Sequence, residues 1–307
     1  MNEEKIFAKG KPALSWKEEQ LTSGLLSCPG CGAAIAMRMV LKILGPETVV
    51  VIPACCWTII AGQFPYFALK VPMLHCAFET AASSASGIAR SLKIKNKSHI
   101  NVLAWAGDGG TFDIGIQALS GAAERGENII YACYDNEAYM NTGIQRSSAT
   151  PEGSWTTTTP ISGEDRPKKD MMAIMMAHDI PYAATISIAY PNDLKRKVEK
   201  AKSLNGKGLR YLHILCPCPT GWRSEPSKTV ELARLAVQTG IFPLYEFENV
   251  DGKKTFEINQ CGSLAIEKYL TLQGRFAHLK EKDIEKIQKE VERKKDHLFK
   301  LEKLYNN

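Results

Sequence analysis

Residues 100–151 leave this chain few options. They read INVLAWAGDGGTFDIGIQALSGAAERGENIIYACYDNEAYMNTGIQRSSATP. Residues 100–106 form an apolar stretch of strand length, too short for a helix, and Gly107-Asp108-Gly109-Gly110 breaks it. Phe112, Ile116, Leu119 and Ala123 then recur at helical spacing up to Arg125, where Gly126 stops the helix. Residues 129–135 make a second strand, ending at Asn136. Strand, glycine turn, helix, strand is one right-handed βαβ unit. The expected fold class is therefore α/β, a mostly parallel, doubly wound sheet.

Asp108 and Asn136 stand at adjacent strand ends, in the crevice where open parallel sheets bind ligands. A carboxylate and an amide oxygen are the hard donors that Mg2+ prefers, with phosphate oxygens completing the shell. Glycines let a diphosphate approach the backbone, and the following helix N-terminus favours negative charge. GDGG alone is equally a tight turn with a surface Asp; the second oxygen ligand at the next strand end tips the reading towards a magnesium-diphosphate cradle.

A chain of 307 residues can bury a large core, and 44% apolar with 23% charged residues is ordinary for a globular protein. No apolar run reaches the roughly 18 residues of a membrane span, and the N-terminus lacks a signal-peptide core. The expectation is a cytoplasmic protein with no membrane contact. The net charge of +6 is not interleaved with aromatic residues, which argues against nucleic-acid binding.

Three regions are expected: an N-terminal arm over 1–27, a cofactor-binding domain over 28–225, and a C-terminal extension over 226–307 that contacts another subunit. Within the domain, helices are expected over 32–44, 78–93, 167–178 and 192–204, the last capped near Asn192 or Asp193. Strands are expected over 48–53, 183–188 and 209–215, with a linker containing Gly62, Pro65 and Pro72. Asp251-Gly252 between alternating residues predicts a hairpin of 244–250 with 253–258, and 280–306 reads as a charged helix.

Nine cysteines, an odd number, argue against a disulfide framework. Cys28-Pro29-Gly30-Cys31 brings two thiols to one point, and Cys56 and Cys218 fall at strand ends on the same sheet edge as Asp108 and Asn136. A zinc clip, a redox pair and an iron-sulfur cluster all suit a CxxC. The remaining cysteines come singly rather than as a second close pair, which leans towards a cluster. Spacing alone does not separate Cys218 from Cys216, or Cys56 from Cys55.

Gly107-Asp108-Gly109 with Asn136 at the next strand end resembles the thiamine diphosphate signature of thiamine-dependent enzymes. EAYMNTGIQRSSATP is similar to the β subunit of 2-oxoacid:ferredoxin oxidoreductases, pyruvate-using members in particular. The resemblance covers about residues 20–225 and implies a 4Fe-4S cluster on Cys28, Cys31, Cys56 and Cys218. It implies Mg2+ on Asp108, the Asn136 side chain and the Ala138 carbonyl. Gly107, Gly109 and Gly110 would line the diphosphate of thiamine diphosphate. Glu137, Tyr139, Met140 and Asn141 would line the cofactor, with Asn141 the catalytic group nearest the reacting carbon and Cys56 touching thiamine as well as iron. Some relatives carry Glu just after CPGCG, where this chain has Ala33.

The implied reaction is oxidative decarboxylation of pyruvate to acetyl-CoA and CO2, or its reverse, with electrons passing through the cluster to ferredoxin. The implied partners are an α subunit that supplies the Glu contacting the aminopyrimidine and much of the substrate pocket, other subunits with further clusters, ferredoxin, the 2-oxoacid and coenzyme A. Glu79 and Glu137 are acids available in this chain, but surface or packing roles suit them better. Oxalate or another 2-oxoacid is the nearest alternative. A non-redox thiamine-dependent decarboxylase with structural zinc is the alternative of a different class.

Overall fold

The computed structural model describes residues 18–306; residues 1–17 of the expected arm, and Asn307, lie outside the described residues. The helices are α1 Gly32–Leu44, α2 Cys56–Ile60, α3 Ala81–Ile94, α4 Ile116–Glu124, α5 Met171–Ala177, α6 Pro191–Ser203, α7 Pro219–Trp222, α8 Thr229–Gln238, α9 Glu267–Leu270 and α10 Glu281–Asn306. The strands are β1 Thr48–Pro53, β2 Met73–Cys76, β3 Asn101–Gly107, β4 Ile130–Asp135, β5 Tyr182–Ser187, β6 Arg210–Leu215, β7 Leu244–Val250 and β8 Lys253–Gln260. All eight form one sheet in the order β2-β1-β3-β4-β6-β5-β7-β8.

The first six strands in that order are parallel; β7 pairs antiparallel with β5 and β8 antiparallel with β7, and this C-terminal hairpin extends the same sheet. Central strands β3, β4 and β6 are buried along their whole length, which is why they read as apolar runs without alternation. Leu103 and Trp105 pack with α1 and α6 on one face; Val102, Ala104 and Ala106 pack with α3, α4 and α5 on the other. Register sets Gly107 beside Tyr134 and Asp135 beside Leu215. The residues after β1, β3, β4 and β6 therefore emerge at one sheet edge. That edge carries Cys56, Asp108, Asn136 and Cys218.

Several expected details differ. The linker after β1 holds a strand, β2, which pairs with β1 from Val50↔Met73 to Pro53↔Cys76. As an edge strand it is exposed at Leu74 and half-buried at its other three residues, and lacks the apolar run of its neighbours. The glycine segment is a wide π-helical turn, Gly109–Asp113, not an open turn. It brings the Gly110 carbonyl so close to Gly115 that a β-carbon there would sit 1.9 Å from it, and α4 begins only afterwards. Helix α6 is not capped by Asn192 or Asp193: Pro191 pre-sets its first turn, and Asp193 instead pairs with Lys197 at 2.8 Å. Helices α3 and α5 are shorter than expected, starting at Ala81 and Met171. Among the described residues no helix is long and apolar enough to cross a membrane.

Candidate active site at the strand ends

Three oxygens converge past the ends of β3 and β4. Asn136 Oδ1 lies 3.0 Å from Asp108 Oδ1 and 3.0 Å from the Ala138 carbonyl, while its Nδ2 faces Cys56 Sγ at 3.9 Å. Oxygen facing oxygen is repulsive unless something positive sits between them. An amide rotated by half a turn would relieve it by donating to both acceptors; in the orientation found, carboxylate, amide and carbonyl oxygens present the donor set of a hard divalent cation. The residues fit Mg2+.

Asp108 is 2% exposed and accepts from Ser147 Oγ at 2.5 Å through its other oxygen. Burial pushes its carboxyl well above the usual range, and the negative charge of Asp135 adds to this; Ser147 and Lys168 oppose it. A cation would supply the missing positive charge.

A cavity of about 320 Å³ opens beside these oxygens. Cys56, Gly107, Asp108, Gly109, Gly110, Asn136, Ala138, Tyr139, Met140 and Asn141 all line it, joined by Phe78 and Ile59. Tyr139 donates to Asp113 Oδ2 at 2.6 Å, and a β-carbon on Gly109 would fall 2.1 Å from its ring, so glycine is required there. Asn141 is exposed at the mouth. Glu137 does not line this cavity. Its backbone takes a left-handed φ of 69°, and its carboxylate turns away to Lys168 Nζ at 2.8 Å and Arg275 Nη2 at 2.7 Å.

A buried charge network lies behind the β4 end. Asp135 meets His213 Nε2 at 2.7 Å and Lys168 Nζ at 2.5 Å. Burial disfavours its charge, yet Lys168 and His213 hold the Asp135 carboxyl down at about 2. Burial likewise opposes the Lys168 charge, but Asp135 and Glu137 raise its pKa above the ordinary lysine value. Trp222 Nε1 donates to the Asn136 carbonyl at 2.8 Å. Sequence reasoning missed Ser147, Lys168, Trp222 and Arg275 as site residues. Ser147 and Trp222 sit inside the quoted RSSATP and PCPTGW runs, whereas nothing local marks Arg275.

Hydrogen bonds to backbone carbonyls tie the cysteine segments to one another and to α8. Gly32 N donates to the Pro217 carbonyl at 3.1 Å, Thr229 Oγ1 to the Gly30 carbonyl at 2.6 Å, and Trp57 Nε1 to the Ala33 carbonyl at 3.2 Å. Burial raises the Cys56 thiol, and charge on Cys218, Cys55 and Cys31 would raise it further. Burial pushes Cys218 up to about 11, with Cys31 and Cys28 as charged neighbours. Cys216 points into the core at 1% exposure. Among the described residues no three His, Cys, Asp or Glu side chains gather tightly enough to hold a metal ion as they stand.

Fold and site together define a thiamine diphosphate-type domain. Residues 55–214 match the family described as thiamine pyrophosphate enzyme, C-terminal TPP binding domain. Pyruvate synthase subunit PorB of Methanothermobacter thermautotrophicus is 52% identical over 280 residues, 90% of this chain and 96% of that protein. Ketoisovalerate oxidoreductase subunit VorB of Pyrococcus abyssi is 50% identical over 297 residues, 94% of this chain and 95% of that protein. A 2-oxoglutarate:ferredoxin oxidoreductase from Magnetococcus marinus, solved with 2-oxoglutarate, coenzyme A and succinyl-CoA, superposes with a TM-score of 0.56 at 21% identity. That match covers 70% of this chain and 79% of the other, and it supports the fold. The chain belongs to the 2-oxoacid:ferredoxin oxidoreductase family, among its β subunits.

Proposed function

We propose that this β subunit serves an enzyme that converts pyruvate to acetyl-CoA and CO2, or runs the reverse, in the cytoplasm, passing electrons through a 4Fe-4S cluster to ferredoxin. The observation that carries the reading is the meeting of three hard oxygens, from Asp108, Asn136 and Ala138, beside a cavity that Cys56 also lines. When bound, thiamine diphosphate with Mg2+ supplies an electron sink for cleaving the bond next to a 2-oxo carbon, and a cluster accepts electrons singly.

In this assignment Asp108, Asn136 and the Ala138 carbonyl hold Mg2+, and the backbone of Gly107, Gly109 and Gly110 lines the diphosphate. Phe78, Tyr139 and Met140 keep water from the cofactor, and Asn141 offers its amide to substrate at the mouth. Cys28, Cys31, Cys56 and Cys218 are the proposed cluster ligands.

Asp108 is the one acid among the described residues lining the cavity, so the Glu that activates the aminopyrimidine is assigned to an α subunit. Ile59 on the cavity rim is 58% exposed, and Phe64 and Tyr66 in the loop that follows are more than 80% exposed, which suits cover by that partner. A branched 2-oxoacid is the second reading, because the ketoisovalerate relative is nearly as similar as the pyruvate one.

The test is ferredoxin reduction by the anaerobically purified complex, with pyruvate and 3-methyl-2-oxobutanoate compared, each with and without coenzyme A. Faster coenzyme A-dependent reduction with pyruvate is expected. Preference for the branched acid would move the substrate; no reduction with any 2-oxoacid would overturn the function.

A further inference from the structure

We infer that Arg275, which lies C-terminal to the matched thiamine-binding segment, is a positioning residue for the cation ligand Asn136. The inference rests on the Mg2+ assignment above. Arg275 is 2% exposed, unusual for an arginine in a chain segment remote from β4. Its guanidinium reaches the β4 end by two routes. Nη2 pairs with Glu137 Oε2 at 2.7 Å, across 138 residues of sequence. Its Cζ also lies over the Trp222 ring, 3.9 Å from the centroid, and Trp222 Nε1 donates to the Asn136 carbonyl at 2.8 Å.

One cation therefore grips Asn136 from both sides: through the next residue's side chain, and through the ring that holds its own carbonyl. The grip matters because Glu137 occupies a left-handed conformation that a bulky residue does not adopt unaided. Without Arg275, Lys168 and the Thr150 hydroxyl still hold Glu137, and the 136–138 peptides lose one of their ties. The Asn136 amide oxygen and the Ala138 carbonyl, two of the three cation donors, are carried on those peptides. Arg275 is itself held in place: its Nε donates to Gln273 Oε1 at 2.9 Å, and its carbonyl accepts from Trp155 N at 2.9 Å. Arginine suits this task because its rigid, planar, charged fork can ion-pair and lie against an aromatic ring at once, a fixed geometry that a lysine ammonium lacks.

The experiment is calorimetric titration of thiamine diphosphate, at saturating Mg2+, into the cofactor-stripped complex. Three variants are compared with wild type. E137Q/R275M removes both charges of the buried pair, so that no lone carboxylate is left to unfold the chain. W222F keeps the aromatic platform and removes only the N–H to Asn136. R275K keeps the charge and loses the stack. Affinity is expected to fall about 10- to 100-fold in E137Q/R275M and W222F, the range seen for supports of metal ligands, with R275K between these and wild type.

Wild-type affinity in both E137Q/R275M and W222F, with only the melting temperature lowered, would show a merely structural arginine and overturn the inference. If wild type itself takes up no thiamine diphosphate with Mg2+, the cofactor assignment fails instead.

Discussion

Ser147→Ala isolates the charge balance at Asp108. Ser147 is fully buried, and its hydroxyl donates to Asp108 Oδ2 at 2.5 Å. A hydrogen bond to a charged group contributes about 1.5–3 kcal/mol, and the alanine methyl in its place offers nothing in exchange. Because the carboxylate form accepts this bond and the proposed cation needs that form, the loss falls on binding. At 1.4 kcal/mol per tenfold, Mg2+-dependent uptake of thiamine diphosphate should weaken by roughly 10- to 100-fold. The pH dependence should move with it. Burial already places the Asp108 carboxyl above the usual range, and Ser147 pulls it down. Without the hydroxyl it rises further, so uptake in S147A should set in at higher pH than in wild type. Titration calorimetry across a pH series reads both quantities. Unchanged affinity together with an unchanged onset would refute the role given to Ser147 and the ionised state assigned to Asp108.

Three further outcomes follow from the geometry. Gly109→Ala drives a methyl into the Tyr139 ring and should cost about 2–4 kcal/mol from overpacking and the lost Tyr139–Asp113 bond; denaturant melts showing a change below about 0.5 kcal/mol would contradict it. Lys168→Met strips Asp135 and Glu137 of a shared buried cation, so a loss of about 3–5 kcal/mol is expected, whereas Lys168→Arg should recover part of it. Acid should destabilise the chain through Asp135: its carboxyl sits at about 2 when folded and about 3.9 when unfolded. It contributes roughly 2–3 kcal/mol above that unfolded value, lost as pH falls through the folded one. Asp108 has the opposite sign, favouring the folded state at low pH, so the clean comparison is wild type against D135N; parallel melting curves through the acid window would contradict the assignment.

The sheet centre was legible because β3, β4 and β6 are buried on both faces and leave unbroken apolar runs between glycine or polar stops. Helix α1 and strand β1 were equally plain, bounded by the CPGC turn, Gly45-Pro46 and the ACCW segment. Strand β2 was not, since four edge residues, none of them buried, take their conformation from β1 rather than from their own pattern. That the three proposed cation oxygens share one edge could be read because each falls at or just past a strand end, where parallel register decides position. The direction of the Glu137 side chain could not: a single left-handed residue turns it away from the cavity, and no neighbouring residue type signals that. Lys168 and Arg275 were invisible for a different reason. Their partners lie 31 and 138 residues away, joined only once the chain has folded.

The central claim is that a thiamine site and a cluster share one sheet edge so that electrons pass between them. The visible cluster absorbance of the anaerobically purified complex tests it most directly, followed after pyruvate alone and after pyruvate with coenzyme A. Bleaching by pyruvate, deepened by coenzyme A, is the predicted result. A colourless protein, or a brown one that neither pyruvate nor any other 2-oxoacid bleaches, would contradict it.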